Sequence, residues 1–110
     1  MFGIKVKITK FTDDWQPGWI ECEFTDAFGK LHIFNEKVPI VTVEYLDENS
    51  IYPQDGIIGC EIIERKIIDN REMIKVSSEL PWHIESKTGE TVFEVLAEHL
   101  IEFEHDSFPV

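Results

Sequence analysis

Alternation of apolar and polar residues constrains this chain most. Ile4, Val6 and Ile8 interleave with Lys5 and Lys7, and Ile20, Cys22 and Phe24 interleave with Glu21 and Glu23. A period of two sends successive side chains to opposite sides, so both runs are half-buried strands. The first is predicted over residues 2–11. A loop follows at Asp13-Asp14-Trp15-Gln16-Pro17-Gly18, where Pro-Gly breaks the pattern, and a second strand runs from Trp19 to Thr25. Asp26-Ala27-Phe28-Gly29 then reads as a hairpin turn, with Gly29 free to take a positive φ. Lys30 to Val38 returns, with Leu31 and Ile33 on one face and His32 and Phe34 on the other.

Pro39 ends or bends that strand, and residues 40–45 read as its continuation at a sheet edge, where proline is tolerated. Leu46 to Gly56 is an irregular connection. Isoleucine pairs at 57/58, 62/63 and 67/68 then put apolar groups on both faces of one run. Burial on both sides would do this, and so would a bulge that flips parity, with Gly59 the suggested bend. Asp69-Asn70-Arg71-Glu72 turns the chain back through Met73 to Ser77. Trp82 to Glu85 reads as a short strand, Lys87 to Glu90 as a turn, and Thr91 to Val95 as another strand. Thr91-x-x-Glu94 also matches a capping box, and Phe93, Leu96, Ala97 and Leu100 have helical spacing, so a short helical segment is expected through Ile101. From Glu102 onward the tail is expected to fray. The expectation is one all-β domain over residues 1–110. Its architecture is a small antiparallel barrel or sandwich of about six strands with a short C-terminal helical segment.

Charge decides which partners suit such a domain. The chain carries 22 acids and 10 bases, a net charge of −12, yet 43% of it is hydrophobic. That apolar content, with 8 Phe and 3 Trp, separates it from acidic disordered chains. Residues 1–78 hold 14 acids against 9 bases. Residues 79–110 hold Glu79, Glu85, Glu90, Glu94, Glu98, Glu102, Glu104 and Asp106 against Lys87 alone. Such a field repels phosphates and attracts cationic partners, which disfavours nucleic-acid binding. No apolar run approaches a membrane span and no secretory leader pattern opens the chain, so a cytoplasmic location is expected. Cys22 and Cys60 each fall on the apolar beat of a strand, which predicts buried thiols.

No motif carries chemistry. Neither cysteine has a C-x-x-C partner, and His99 and His105 do not share a helix-face spacing, so no metal or other cofactor is expected. With 22 acids, any two lying close together say little about acid–base catalysis. There is no nucleophile elbow and no phosphate-cradling loop. The aromatic residues at element edges are the better candidates for binding. These are Trp15 in the first loop, Trp82 after Pro81, and Trp19, which shares a strand face with Glu21 and Glu23. Glu94, Glu98 and Glu102 stand for the acidic last third.

The stretch from Pro17 to Pro39, with Trp82-His-Ile-Glu-Ser86 downstream, resembles a group of small uncharacterised bacterial single-domain proteins. That resemblance implies no function and no catalytic residue. In size and acidity alone the chain is similar to immunity proteins that neutralise basic toxins. The expectation is therefore a non-enzymatic acidic module that docks a basic protein. The alternative is a small-ligand or metal-binding barrel, with His32, His83 and Trp82 as the residues to examine. A homodimer through the Ile57–Ile68 strand is a third possibility.

Overall fold

A computed structural model describes residues 1–103. Its strands are β1 (Phe2–Asp13), β2 (Trp19–Thr25), β3 (Leu31–Lys37), β4 (Gln54–Ile68), β5 (Arg71–Ser77), β6 (Val92–Leu96) and β7 (Leu100–Glu102), with one short helix, α1 (Val38–Val41). They make a single antiparallel sheet in the order β3-β2-β1-β4-β5-β6, and β7 pairs beside β1. The sheet curls into a half-barrel. Its first and last strands are tied by loop hydrogen bonds instead of a ladder. The Ala27 amide donates to the Glu94 carbonyl at 2.9 Å, and the Lys87 amide donates to Ile33 at 2.8 Å.

The alternating runs fill the concave side. Ile4, Val6 and Ile8 of β1 meet Ile20, Cys22 and Phe24 of β2, Ile58 and Cys60 of β4, Ile74 and Val76 of β5, and Phe93 and Val95 of β6. Both cysteines are free and buried, as expected. Burial pushes their thiols up, that of Cys60 to about 12, and neighbouring carboxylates add to the effect. Neither is a thiolate at neutral pH. The β2–β3 hairpin pairs in one register from Trp19↔Lys37 to Thr25↔Leu31. That register puts His32 opposite Phe24 and Phe34 opposite Cys22, so His32 and Phe34 face the core while Leu31 is exposed.

Four local expectations are corrected. Residues 40–45 are not an edge strand: Val38–Val41 form a helical turn, with Pro39 in its first turn, where a missing N–H costs nothing. Trp82–Glu85 is not a strand either. The Ser78 hydroxyl, fully buried, donates to the Ile84 carbonyl at 2.5 Å, and the Ile84 amide returns to the Ser78 carbonyl at 2.9 Å, closing a loop in which His83 takes φ 51°. The expected helix through Ile101 shrinks to a single 3-10 turn at Ala97–His99, where His99 Nδ1 accepts the Leu96 amide at 3.1 Å. Glu102 is not frayed, because β7 pairs it with Phe2 of β1. Expectations for Glu104, His105 and Asp106 lie outside the described residues.

The isoleucine pairs are explained by a bulge, placed after Ile62 instead of at Gly59. The β4–β5 register slips between Ile62 and Glu64. Gly59 serves Trp82: a Cβ there would come 2.7 Å from the indole, so only glycine lets the ring lie on the strand. No helix among the described residues is long and apolar enough to cross a membrane.

Candidate functional site

Two clefts flank one stretch of chain, residues 41–49. On one side Tyr45, Leu46, Asp47, Glu48 and Asn49 face Phe11, Asp14 and the Gln16-Pro17-Gly18 turn across a cleft of about 300 Å³. A contiguous hollow of about 390 Å³ adds Thr12 and Asp13 to the same carboxylates. Asp13, Asp14, Asp47 and Glu48 thus converge at one end of the half-barrel. No ion pair to a cation is formed by any of the four among the described residues.

Local hydrogen bonds shape this end. The Asp13 carboxylate accepts the Trp15 amide at 2.9 Å, and the Asp47 carboxylate accepts the Asn49 amide at 2.8 Å. These Asx turns are what Asp favours outside regular structure. The Asp47 carbonyl accepts the Tyr52 hydroxyl at 2.8 Å, anchoring the loop from below. Beside the carboxylates, Trp15 is 75% exposed and Tyr45 83% exposed.

On the other side of residues 41–49 lies a larger and more apolar cleft of about 560 Å³. Val6, Phe24, Val41, Val43, Ile57 and Ile101 supply its apolar wall, and Lys5, Lys7, Asp55 and His99 lie at its polar margin. Lys7 forms an ion pair with Asp55, and the hydrogen bond from that lysine holds the Asp55 carboxyl below its ordinary value.

Behind Phe24 sits a part-buried ionisable cluster. His32, only 4% exposed, is flanked by the rings of Phe24 at 5.1 Å and Phe93 at 4.7 Å. Its Nε2 lies 2.8 Å from Asp26 Oδ2, and its Nδ1 lies 3.7 Å from Glu90 Oε1 without a hydrogen bond. Burial works to raise the Asp26 carboxyl. Hydrogen bonds from His32 and from the Lys30 and Phe28 amides, together with the His32 charge, outweigh it and hold the group below its ordinary value. Glu90 is lowered too, by hydrogen bonds from Thr88 and Lys30. The cluster joins the β2–β3 turn to the 86–90 turn. Aromatic rings cover its His32 end, while Glu90 stands part-exposed at the other, so the hydrogen-bonded pair ties the two turns together.

The candidate residues read from the sequence scatter. Trp15 lies between Asp14 and Gln16, which line the acidic cleft, but is not itself part of its wall. Trp19 pairs with Lys37, whose ammonium lies 5.8 Å from the indole centroid, while Glu21 beside it is engaged by Lys87 and by Lys10 at 3.9 Å. The chain's own lysines therefore occupy the cation-attracting surface expected there. Trp82 lies against Gly59 and Phe103. Glu94 pairs with Lys66 at 3.6 Å and Glu98 with Arg71 at 3.9 Å, while Glu102 sits exposed on β7. His83 lies in the loop closed by Ser78. No group of three or more potential ligands that could hold a metal occurs among the described residues.

Sequence inspection missed Asp47, Glu48 and Tyr45, which line one cleft together with Asp14. A loop of Asp, Glu, Asn and Ser looks like any solvated connection until the fold brings it against residues 11–18. No family model, curated protein or solved structure matches this chain. The likeness to small bacterial proteins therefore contributes neither a function nor a site residue.

Proposed function

We propose that the protein is a non-enzymatic acidic module that docks a basic protein partner, with an inhibitor or immunity-type role as its concrete form. The observation that carries this reading is the cleft between residues 11–18 and 45–49. Asp13, Asp14, Asp47 and Glu48 converge there without internal cations, beside the exposed rings of Trp15 and Tyr45. Aromatic anchors next to unneutralised carboxylates suit a surface rich in Lys and Arg. The net charge of −12 would steer such a partner in and make the encounter salt-sensitive.

The test is affinity capture from host extract with three baits side by side: wild type, D14K/E48K and E98K/E102K. Both variants change the net charge equally. A basic protein retained by wild type and E98K/E102K, released by salt and lost with D14K/E48K, supports docking at the cleft. Loss with E98K/E102K alone moves the site to the acidic last third. Absence of any salt-sensitive basic partner overturns the reading.

A second reading rests on the 560 Å³ cleft, whose volume and apolar wall suit a small hydrophobic ligand. An apolar fluorescent probe should bind saturably and be excluded by Val43→Asp. Binding unchanged by that substitution removes this reading.

A further inference from the structure

β4 is 15 residues long, and its two halves are covered differently. Residues 54–60 lie beside β1. Residues 61–68 pair with β5 on one side, and among the described residues no strand pairs with their other edge. This half leaves Ile63 54% exposed, Ile67 75% exposed and Ile68 partly exposed. An uncovered strand edge with apolar side chains is a template for another strand.

We propose that this edge pairs with the same edge of a second copy, antiparallel, about a two-fold axis through Arg65. The sequence over residues 63–67 is self-complementary under that operation: Ile-Glu-Arg-Lys-Ile. Antiparallel register about Arg65 sets Ile63 opposite Ile67 of the second copy, Glu64 opposite its Lys66 and Arg65 opposite its counterpart, while the slip after Ile62 keeps that residue packed on the core face. A two-fold interface requires one surface to complement itself, and here the Ile63–Ile67 and Glu64–Lys66 pairs do so. Charges usually protect an edge by repelling a like strand. On this axis Glu64 and Lys66 attract across the strands, and the self-opposed Arg65 is neutralised within its own chain by Glu72 at 3.3 Å. The bulge at Ile63 is part of the argument, since it frees that residue from the β5 register. Lys66 also reaches Glu94 at 3.6 Å within its own chain, so it is shared between the two acids.

One edge of this length buries less than a standard interface, so the dimer is weak and fills at high micromolar concentration. Its salt dependence is opposite to that of a basic partner. Two copies of charge −12 repel, and screening relieves the repulsion, so association strengthens as salt rises.

Sedimentation equilibrium on the full chain tests this. Wild type should pass from monomer to dimer with concentration, more readily at high salt. Ile67→Lys should weaken association by about tenfold or more without loss of fold, because the residue is exposed. Glu64→Lys alone should weaken it, and E64K/K66E should restore it by exchanging the two charges. Directly opposed residues on antiparallel strands lie within disulfide range, about 4.5–5.5 Å between Cα atoms, so Arg65→Cys should crosslink on oxidation and Glu61→Cys should not. A monomer at every concentration and salt level overturns the proposal. So does a dimer indifferent to Ile67→Lys, or crosslinking at position 61 in place of 65. None of these outcomes bears on the acidic cleft, which uses other residues and the opposite response to salt.

Discussion

The two clefts share a wall and differ in almost everything else. Val41 to Val43 line the apolar cleft beside Phe24, Ile57 and Ile101. A few residues later Tyr45 to Asn49 line the acidic one. The apolar cleft backs directly onto the core, since Phe24 is both its wall and a neighbour of Phe34, Phe93 and His32. The acidic cleft is built from turns, Asx bonds and exposed rings. Surfaces that share their walls with a core are costly to alter, whereas surfaces made of loops are free to carry charge and recognition. The comparison separates a part of the molecule that stability dictates from a part that stability leaves unconstrained.

The largest effect should come from the wall shared with the core. Phe24→Ala should cost about 3–5 kcal/mol in urea unfolding, because it removes contacts with three rings and leaves a cavity. A loss below about 1 kcal/mol would mean that the apolar cleft is not coupled to the core.

The next effect concerns the cluster behind Phe24. Asp26→Asn should cost about 1–3 kcal/mol at neutral pH, because His32 loses a charged acceptor while remaining buried. The wild-type carboxyl is held below its ordinary value in the fold. Its contribution is therefore present above the unfolded value near pH 4 and lost as pH falls through the folded one. Unfolding curves of wild type and Asp26→Asn should converge as pH falls below about 4. A gap that stays constant down to pH 3 would break this assignment.

The smallest effect on stability should come from the acidic cleft. D14K/E48K should leave the unfolding free energy within about 0.5 kcal/mol of wild type, shifted if anything towards stability by relief of like-charge repulsion. A larger loss would show that these carboxylates hold the loops and would erase the contrast between the clefts.

Much of the fold was legible because period-two patterning is strong where one face is buried. β1, β2 and the β2–β3 hairpin follow from Ile4-Val6-Ile8, from Ile20-Cys22-Phe24 and from Gly29, which takes φ 84°. The turn at Asp69-Asn70 is likewise local, both residues having positive φ as a tight hairpin demands. Legibility failed where a distant group decided. Ser78 organises residues 78–84 through a buried hydroxyl, and nothing within Pro81-Trp82-His83-Ile84 announces that bond. Helical spacing over residues 93–100 competes with strand alternation, and pairing of Val92–Leu96 to β5 and of Leu100–Glu102 to β1 settles it. Of the site, Trp15 was visible as a loop aromatic. The cleft carboxylates of residues 47–48 were not, because they lie more than 30 positions from Asp14, with which they share the cleft.

By itself the sequence determined an antiparallel β-protein with a filled apolar face, buried thiols and an excess of negative charge, since these rest on periodicity and composition. Only the tertiary structure decided where that charge is free. Glu90, Glu94 and Glu98 meet Lys30, Lys66 and Arg71, while Asp13, Asp14, Asp47 and Glu48 gather without a base. Charge is counted along the chain, but its neutralisation depends on separations of a few ångströms between residues that folding alone brings together.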